Sequence, residues 1–279
     1  MIGSTELVAR TPDGLTQLRR RWEPSGAPRA AILLVHGIGE HSGRYEHVGS
    51  ALAGAGFDVL AHDQRGFGRS GGDRGHVERF GDLLDDVDAL LDERRDLGVP
   101  VVLLGHSLGG LVVAAHLTSD RPQADLAVLS APALAVEMPG WQRALAPAVG
   151  SLVPKLRMPS DFDGALLSRD PEVQRAYEDD PLRVASSTAR LGREVLAAMD
   201  RVRRSLGRLR IPTYVLHGAD DALVPAAASA PLGELDGVER RVWDGLRHEC
   251  LNEPERDDVI AEVVAWLDAR LGDVAVAAD

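Results

Sequence analysis

The sequence predicts an α/β fold, a mostly parallel, doubly wound sheet with an inserted helical cap, and three observations carry that expectation. Apolar-rich runs at Ala30–Val35, Phe57–Asp63, Val101–Leu104, Leu126–Ser130 and Ile211–His217 read as strands buried on both faces. Helical segments alternate with them, which is how parallel strands are joined. From Ala131 to about Leu209 the rhythm breaks: Pro132, Pro139, Pro147, Pro154, Pro159, Pro171 and Pro181 divide short helical pieces, and no convincing buried strand appears. Residues 1–130 and 210–279 are therefore assigned to the sheet-bearing core and 131–209 to the cap.

Taken in order, Glu6–Arg10 and Leu15–Trp22 look like two strands joined at the Pro12-Asp13-Gly14 turn. Ala30–Val35 ends in a glycine-rich loop, His36-Gly37-Ile38-Gly39-Glu40-His41-Ser42-Gly43-Arg44-Tyr45. A helix from about Arg44 to Ala55 precedes the strand at Phe57, and Gln64 to Gly72 holds too much glycine for helix or strand. Asp82–Leu97 puts Leu83, Leu84, Val87, Leu90 and Leu91 on one face and stops at Gly98-Val99-Pro100. Val101–Leu104 then leads through Gly105-His106-Ser107-Leu108-Gly109-Gly110 into an apolar, Ala-rich helix ending near Leu117. In the cap, Trp141 and the apolar stretch from Ala144 to Met158 read either as a core stripe or as a substrate-facing or lipid-facing lid surface. Asp170-Pro171-Glu172 starts a helix, with a capping acid and a first-turn proline. Glu239–Trp243 is the last strand, and Glu255–Leu271 a closing helix with Val259, Val263, Trp266 and Leu267 inward; the tail beyond Gly272 is expected to fray.

Composition narrows the function classes. A chain of 279 residues buries a sizeable core, and its 44% hydrophobic and 27% charged content is that of a soluble globular protein. A net charge of -12 argues against nucleic acid or an anionic membrane as an electrostatic partner, so any lipid contact should be apolar and local. The single cysteine, Cys250, excludes an internal disulfide and suits a reducing cytoplasm; it reads as a small packing residue. No signal-peptide pattern opens the chain and no apolar run reaches membrane-spanning length, so the expected location is cytoplasmic or membrane-peripheral. Lys155 is the one lysine among 31 basic residues, a bias read as that of a high-GC bacterial genome.

The chemistry starts at Ser107. Gly105 and Gly109 make G-x-S-x-G, whose small flanks let a strand-to-helix turn close so sharply that the hydroxyl projects into solvent. Leu108 then opens a helix with its N–H unpaired, a donor that can hold an oxyanion. The loop after Ala30–Val35 can aim the Ile38 N–H at the same point. A serine hydroxyl needs a base close enough to accept its hydrogen, itself oriented by an acid. In α/β-hydrolases, which carry their nucleophile on such a turn, the acid and the histidine follow it in that order; His248 is the only histidine after Asp221. For the acid, the spacing Gly218-x-x-Asp221 with Val224-Pro225 behind it favours Asp221, and Asp220 stays a candidate. No cofactor or metal is expected: His36 and His41 lack a third ligand at metal-site spacing, and the G-x-G pieces lack the βαβ context of a dinucleotide site.

These motifs, His36 to Tyr45, Gly105 to Gly110 and His217-Gly218-Ala219-Asp220-Asp221, resemble the monoacylglycerol lipase and lysophospholipase branch of the serine α/β-hydrolases. In the cap, Leu167 to Val173, Tyr177 and Asp180-Pro181-Leu182 resemble bacterial members. The resemblance runs from about Leu18 to Leu271. It implies hydrolysis of the acyl ester of a monoglyceride, with Ser107, Asp221 and His248 as triad and Ile38 and Leu108 as oxyanion donors. It also implies that Glu40 and Arg44 brace the oxyanion loop or line a polar pocket for glycerol. Leu251 stands where some relatives carry a second histidine. The expected partners are a small lipid ester and, through the apolar cap, a transient membrane surface. The rivals are a general carboxylesterase, thioesterase or lysophospholipase with the same triad, and a non-catalytic binding module of the same fold.

Overall fold

The computed structural model describes residues 2–160 and 162–277, with the backbone alone from residue 273 onward. The chain enters through a hairpin, β1 (Thr5–Arg10) and β2 (Thr16–Trp22). It continues as β3 (Ala30–Val35), α1 (Glu46–Gly54), β4 (Phe57–His62), α2 (Phe80–Arg95), β5 (Val101–His106), α3 (Leu108–Leu117) and β6 (Leu126–Ser130). An excursion follows, holding α4 (Gly140–Leu152), β7 (Arg157–Pro159), α5 (Gly164–Leu167), α6 (Pro171–Glu178), β8 (Ser186–Thr188) and α7 (Ala189–Ser205). Then β9 (Thr213–Gly218) and β10 (Val238–Trp243) complete the sheet, and α8 (Arg256–Ala277) closes the chain.

The main sheet has the order β1-β2-β4-β3-β5-β6-β9-β10. β1 pairs antiparallel with β2 and β2 antiparallel with β4; every other neighbour is parallel. The strands β3, β4, β5, β6 and β9 are buried at every position, because helices cover both faces. Alternation along β3 divides the core in two: Leu33 and Val35 pack with residues of α2, α3 and α7, and Ile32 and Leu34 with residues of α1 and α8. Because the parallel strands end in register, with Val35 beside Gly105, His106 beside Ser130 and Ser130 beside Leu216, the loops at His36, Ser107 and Ala219 leave the sheet along one edge.

Most boundaries fall within two residues of expectation. A short 3-10 turn, Ser42–Tyr45, precedes α1, and α2 starts at Phe80, where the Arg79 amide donates to the Asp82 carboxylate at 3.2 Å. The tail expected to fray beyond Gly272 is instead helical as far as Ala277, because α8 continues through it; residues 278–279 fall outside those described. The excursion contains an antiparallel pair, β7 with β8, that the sequence did not reveal, since two three-residue strands, one ending in Pro159, are too short to show a period. The larger departure is α4. The core reading of its apolar stretch fails: Trp141, Leu145, Leu152, Val153, Leu156 and Met158 are exposed, Leu152 at 81%, and Gly150 is the buried residue of the helix. No helix of the described residues is long and apolar enough to cross a membrane.

Candidate active site

Ser107 is the hinge between β5 and α3, with φ 51° and ψ -115°, a conformation that side chains other than glycine rarely adopt. Its neighbours impose it. The Ser107 amide donates to the Ser130 carbonyl at 2.9 Å, and its own carbonyl accepts from the amides of Leu111 and Ala133, each at 3.0 Å. A side chain at Gly109 would put Cβ 2.0 Å from the Val35 carbonyl oxygen, and one at Gly105 would put it 2.5 Å from the Gly109 carbonyl oxygen. Only glycines let α3 start so close to β3 and β5. The hydroxyl does not project into open solvent, as the motif alone implied. Ser107 is 7% exposed, because Phe162, Leu167, Tyr177, Val195 and Met199 of the excursion roof the cavity it lines.

The acid and the histidine arrive from the loops after β9 and β10. His248 Nδ1 lies 2.7 Å from Asp221 Oδ2, and both side chains are buried. Asp221 Oδ1 accepts the amides of Leu223 and Val224, each at 2.9 Å. Burial opposes the Asp221 charge, but hydrogen bonds from His217 and His248 and the Val224 amide outweigh it and hold the carboxyl well below the usual carboxylate range. Asp220, the other candidate, is exposed, and its amide donates to the Leu246 carbonyl at 2.9 Å. Ser107 and His248 line the same cavity, and among the described residues no hydrogen bond joins the hydroxyl to the imidazole.

Ile38 and Leu108 line that cavity too, and neither amide donates to another group among the described residues. The loop bearing Ile38 is fixed by Glu40. Its Oε1 accepts the Gly37 amide at 2.5 Å and the Tyr45 hydroxyl at 2.7 Å, and its Oε2 accepts Arg44 Nη1 at 2.8 Å. Burial opposes the Glu40 charge, and the Arg44 guanidinium, with His106 and His36, lowers it to about 2. Arg44 stays charged despite its burial, because Glu249 and Glu40 push its proton affinity up. Glu40 and Arg44 thus brace the loop and also stand in the cavity wall.

Two contributors escaped the sequence reading. Glu249, the residue after His248, binds Arg44 through both oxygens, at 2.6 and 2.8 Å, and its side chain is 5% exposed. Its position next to the proposed base was the available signal; its partner 205 residues away was not readable. The excursion also ties itself to the site. The Val184 amide donates to the Gly39 carbonyl at 2.9 Å, His41 Nε2 meets Asp180 Oδ2 at 2.7 Å, and the Arg44 guanidinium stacks on Tyr177 at 5.1 Å.

The family model described as serine aminopeptidase, S33, matches residues 26–255. The monoacylglycerol lipase of Mycolicibacterium smegmatis is 34% identical over 258 residues, covering 90% of this chain and 92% of that protein. Phospholipase YtpA of Bacillus subtilis is 32% identical over 251 residues, covering 86% of this chain and 96% of that protein. The crystal structure of the Paleococcus ferrophilus monoacylglycerol lipase superposes with a TM-score of 0.82 at 33% identity, covering 89% of this chain and 97% of that one.

Proposed function

This chain belongs to the serine aminopeptidase S33 family within the α/β-hydrolase fold and is a carboxylic ester hydrolase, and from that premise we propose that it cleaves monoacylglycerols to fatty acid and glycerol through an acyl-enzyme. Ser107 Oγ attacks the acyl carbonyl while His248 Nε2 takes its proton, and Asp221 keeps the other imidazole proton on Nδ1 and stabilises the imidazolium. The amides of Ile38 and Leu108 receive the oxyanion. His248 then protonates the departing glycerol oxygen, and a water molecule, activated by the same imidazole, releases the fatty acid.

The observation that carries the substrate class is the composition of the cavity wall. Val136, Phe162, Val195 and Met199 offer an apolar face for one acyl chain, while Glu40, Arg44 and Glu249 form a polar cluster beside His248. Two carboxylates enclose one guanidinium there, so the cluster carries a net negative charge. A neutral glycerol suits it, since its hydroxyls can donate to carboxylate oxygens, whereas the phosphate of a lysophospholipid meets repulsion. The similarity to a phospholipase keeps that second reading in the test. Turnover of monoolein, lysophosphatidylcholine and p-nitrophenyl butyrate is compared for wild type and Ser107→Ala. The proposal expects the highest kcat/KM on monoolein, abolished in the variant; preference for the lysophospholipid would replace it, and no monoglyceride turnover would end it.

The exposed apolar residues of α4 and its continuation support a second part of the proposal, a transient contact of the excursion with a lipid surface from which the substrate is drawn. Flotation with neutral phosphatidylcholine vesicles is expected to carry the wild type and to leave a Trp141→Ser/Leu145→Ser/Leu152→Ser variant behind.

A further inference from the structure

Asp221 is held by two imidazoles, and only one of them belongs to the mechanism above. The second is His217, the last but one residue of β9, wholly buried like its neighbour Ser229. Its Nε2 lies 2.8 Å from the Val224 carbonyl oxygen and 3.2 Å from Asp221 Oδ2. A carbonyl can only accept, so Nε2 carries the proton and shares it between that carbonyl and the carboxylate. The other ring nitrogen, Nδ1, lies 2.8 Å from Ser229 Oγ. Ser229 Oγ also lies 3.1 Å from the Ala226 carbonyl oxygen, but Arg240 Nη2 already donates to that oxygen at 2.6 Å, and Arg240 Nε donates to Ser229 Oγ at 3.0 Å. The Ser229 hydroxyl thus stands between the Ala226 carbonyl and Nδ1, with Arg240 fixing its oxygen against the ring. The result is a line, Arg240 to Ser229 to His217 to Asp221 to His248, that starts at a half-buried guanidinium and is buried from Ser229 onward.

We propose that His217 is a positioning residue: an imidazole, oriented by Ser229 and Arg240, whose Nε2–H holds Asp221 and divides the charge of Oδ2 between itself and His248. Oδ1 is already saturated by two amides, so Oδ2 is the oxygen whose share sets how strongly Asp221 stabilises the His248 imidazolium. Losing the His217 donor frees the carboxylate to turn, which lowers kcat, and concentrates its charge on His248, which makes that imidazole harder to deprotonate. The other titratable and charged groups around His248 and Asp221 include His106, whose ring centroid is 4.9 Å from that of His248, the Glu40, Arg44 and Glu249 cluster, and the buried Cys250 thiol; among the described residues no hydrogen bond or ring contact joins them to His217. Glutamine can place an amide N–H where Nε2 stands, and leucine fills the space without a donor.

The inference rests on the reading of Ser107, Asp221 and His248 as the triad, and the experiment separates the two. Fluorophosphonate labelling of the wild type at Ser107 tests the triad on its own. The kcat/KM profile on monoolein against pH is then measured for wild type, His217→Leu, His217→Gln and Ser229→Ala, with thermal melting as the check on folding. His217→Leu is expected to lose about tenfold in kcat with KM nearly unchanged, and its acid limb to move to higher pH. His217→Gln is expected to restore both, and Ser229→Ala to give a smaller loss in the same direction. A folded His217→Leu with an unmoved acid limb, or a folded His217→Gln that behaves like the leucine variant, overturns the proposal while leaving the triad intact. Should leucine prevent folding, the glutamine and alanine variants decide: wild-type behaviour of Ser229→Ala with failure of His217→Gln counts against it.

Discussion

Helices α3 and α4 are both short, apolar and rich in small residues, and they end in opposite places. Every residue of α3 from Leu108 to Leu117 is buried, whereas α4 buries Gly150 and presents Trp141, Leu145 and Leu152 to the outside. Composition separates them in part, since α3 is apolar on every side and α4 carries Gln142, Arg143 and Ser151; the connections do the rest. Helix α3 is fed by a strand buried on all sides and begins on a turn whose glycines let it sit against β3 and β5. Helix α4 follows Pro139, lies outside the sheet and touches α7 through Gly150, where an added Cβ would come within 2.6 Å of Arg193. An apolar helix is core only if the fold brings a second apolar layer to it, and where none comes the same composition makes a contact surface.

That contrast can be broken most severely at the start of α3. Ser107→Ala is expected to cost at least about 10⁴-fold in kcat/KM on monoolein without loss of folding, measured by initial rates and thermal melting. Asp221→Asn is expected to lose about 10³–10⁴-fold, while Asp220→Asn, at an exposed carboxylate, stays within about twofold; the reverse ranking would move the acid. Gly109→Val forces a side chain into the Val35 carbonyl and is expected to destabilise by about 3 kcal/mol or more, whereas Gly140→Ala at the start of α4, with open space around it, is expected within about 1 kcal/mol of wild type by urea unfolding.

Acid should also act on the core rather than on α4. Burial keeps His106 and His62 neutral, lowering them from an ordinary 6.5 to about 4 and about 3, with the His248 and His36 charges adding to the effect. The unfolded chain then binds protons that the folded one refuses, so stability falls as pH drops below about 6.5, by up to about 1.4 kcal/mol per pH unit for each histidine. Tm measured from pH 7 to pH 4 is expected to fall accordingly, and His62→Gln to flatten the slope. The smallest effect belongs to the outer helix: Leu145→Ser with Leu152→Ser is expected to change stability by no more than about 0.5 kcal/mol while weakening vesicle binding, so a large loss of Tm would return those residues to a core role.

The same contrast explains what the sequence made legible. Strands β3, β5 and β9 announce themselves because burial on both faces leaves an unbroken apolar run, and the loops that follow them carry Ile38, Ser107 and Asp221, so spacing and resemblance together made those residues candidates, with Asp220 left open beside Asp221. Burial of the Ser107 hydroxyl under Phe162 and Met199 was not, because the roof comes from a segment without periodicity. The grip of Glu249 on Arg44 and of Asp180 on His41 joins residues 205 and 139 positions apart, which no local pattern encodes. The choice between core and surface for α4 depended on what packs above the helix, and Gln142, Arg143 and Ser151 among its apolar residues were the local sign that one side stays uncovered.

The most direct test of the account is the covalent intermediate itself. Wild-type protein mixed with excess monoolein, quenched in acid within milliseconds and digested, is expected to yield an oleoyl ester on the peptide that carries Ser107, absent from Ser107→Ala. Turnover of monoolein with no such adduct, or with the acyl group on another residue, would contradict it.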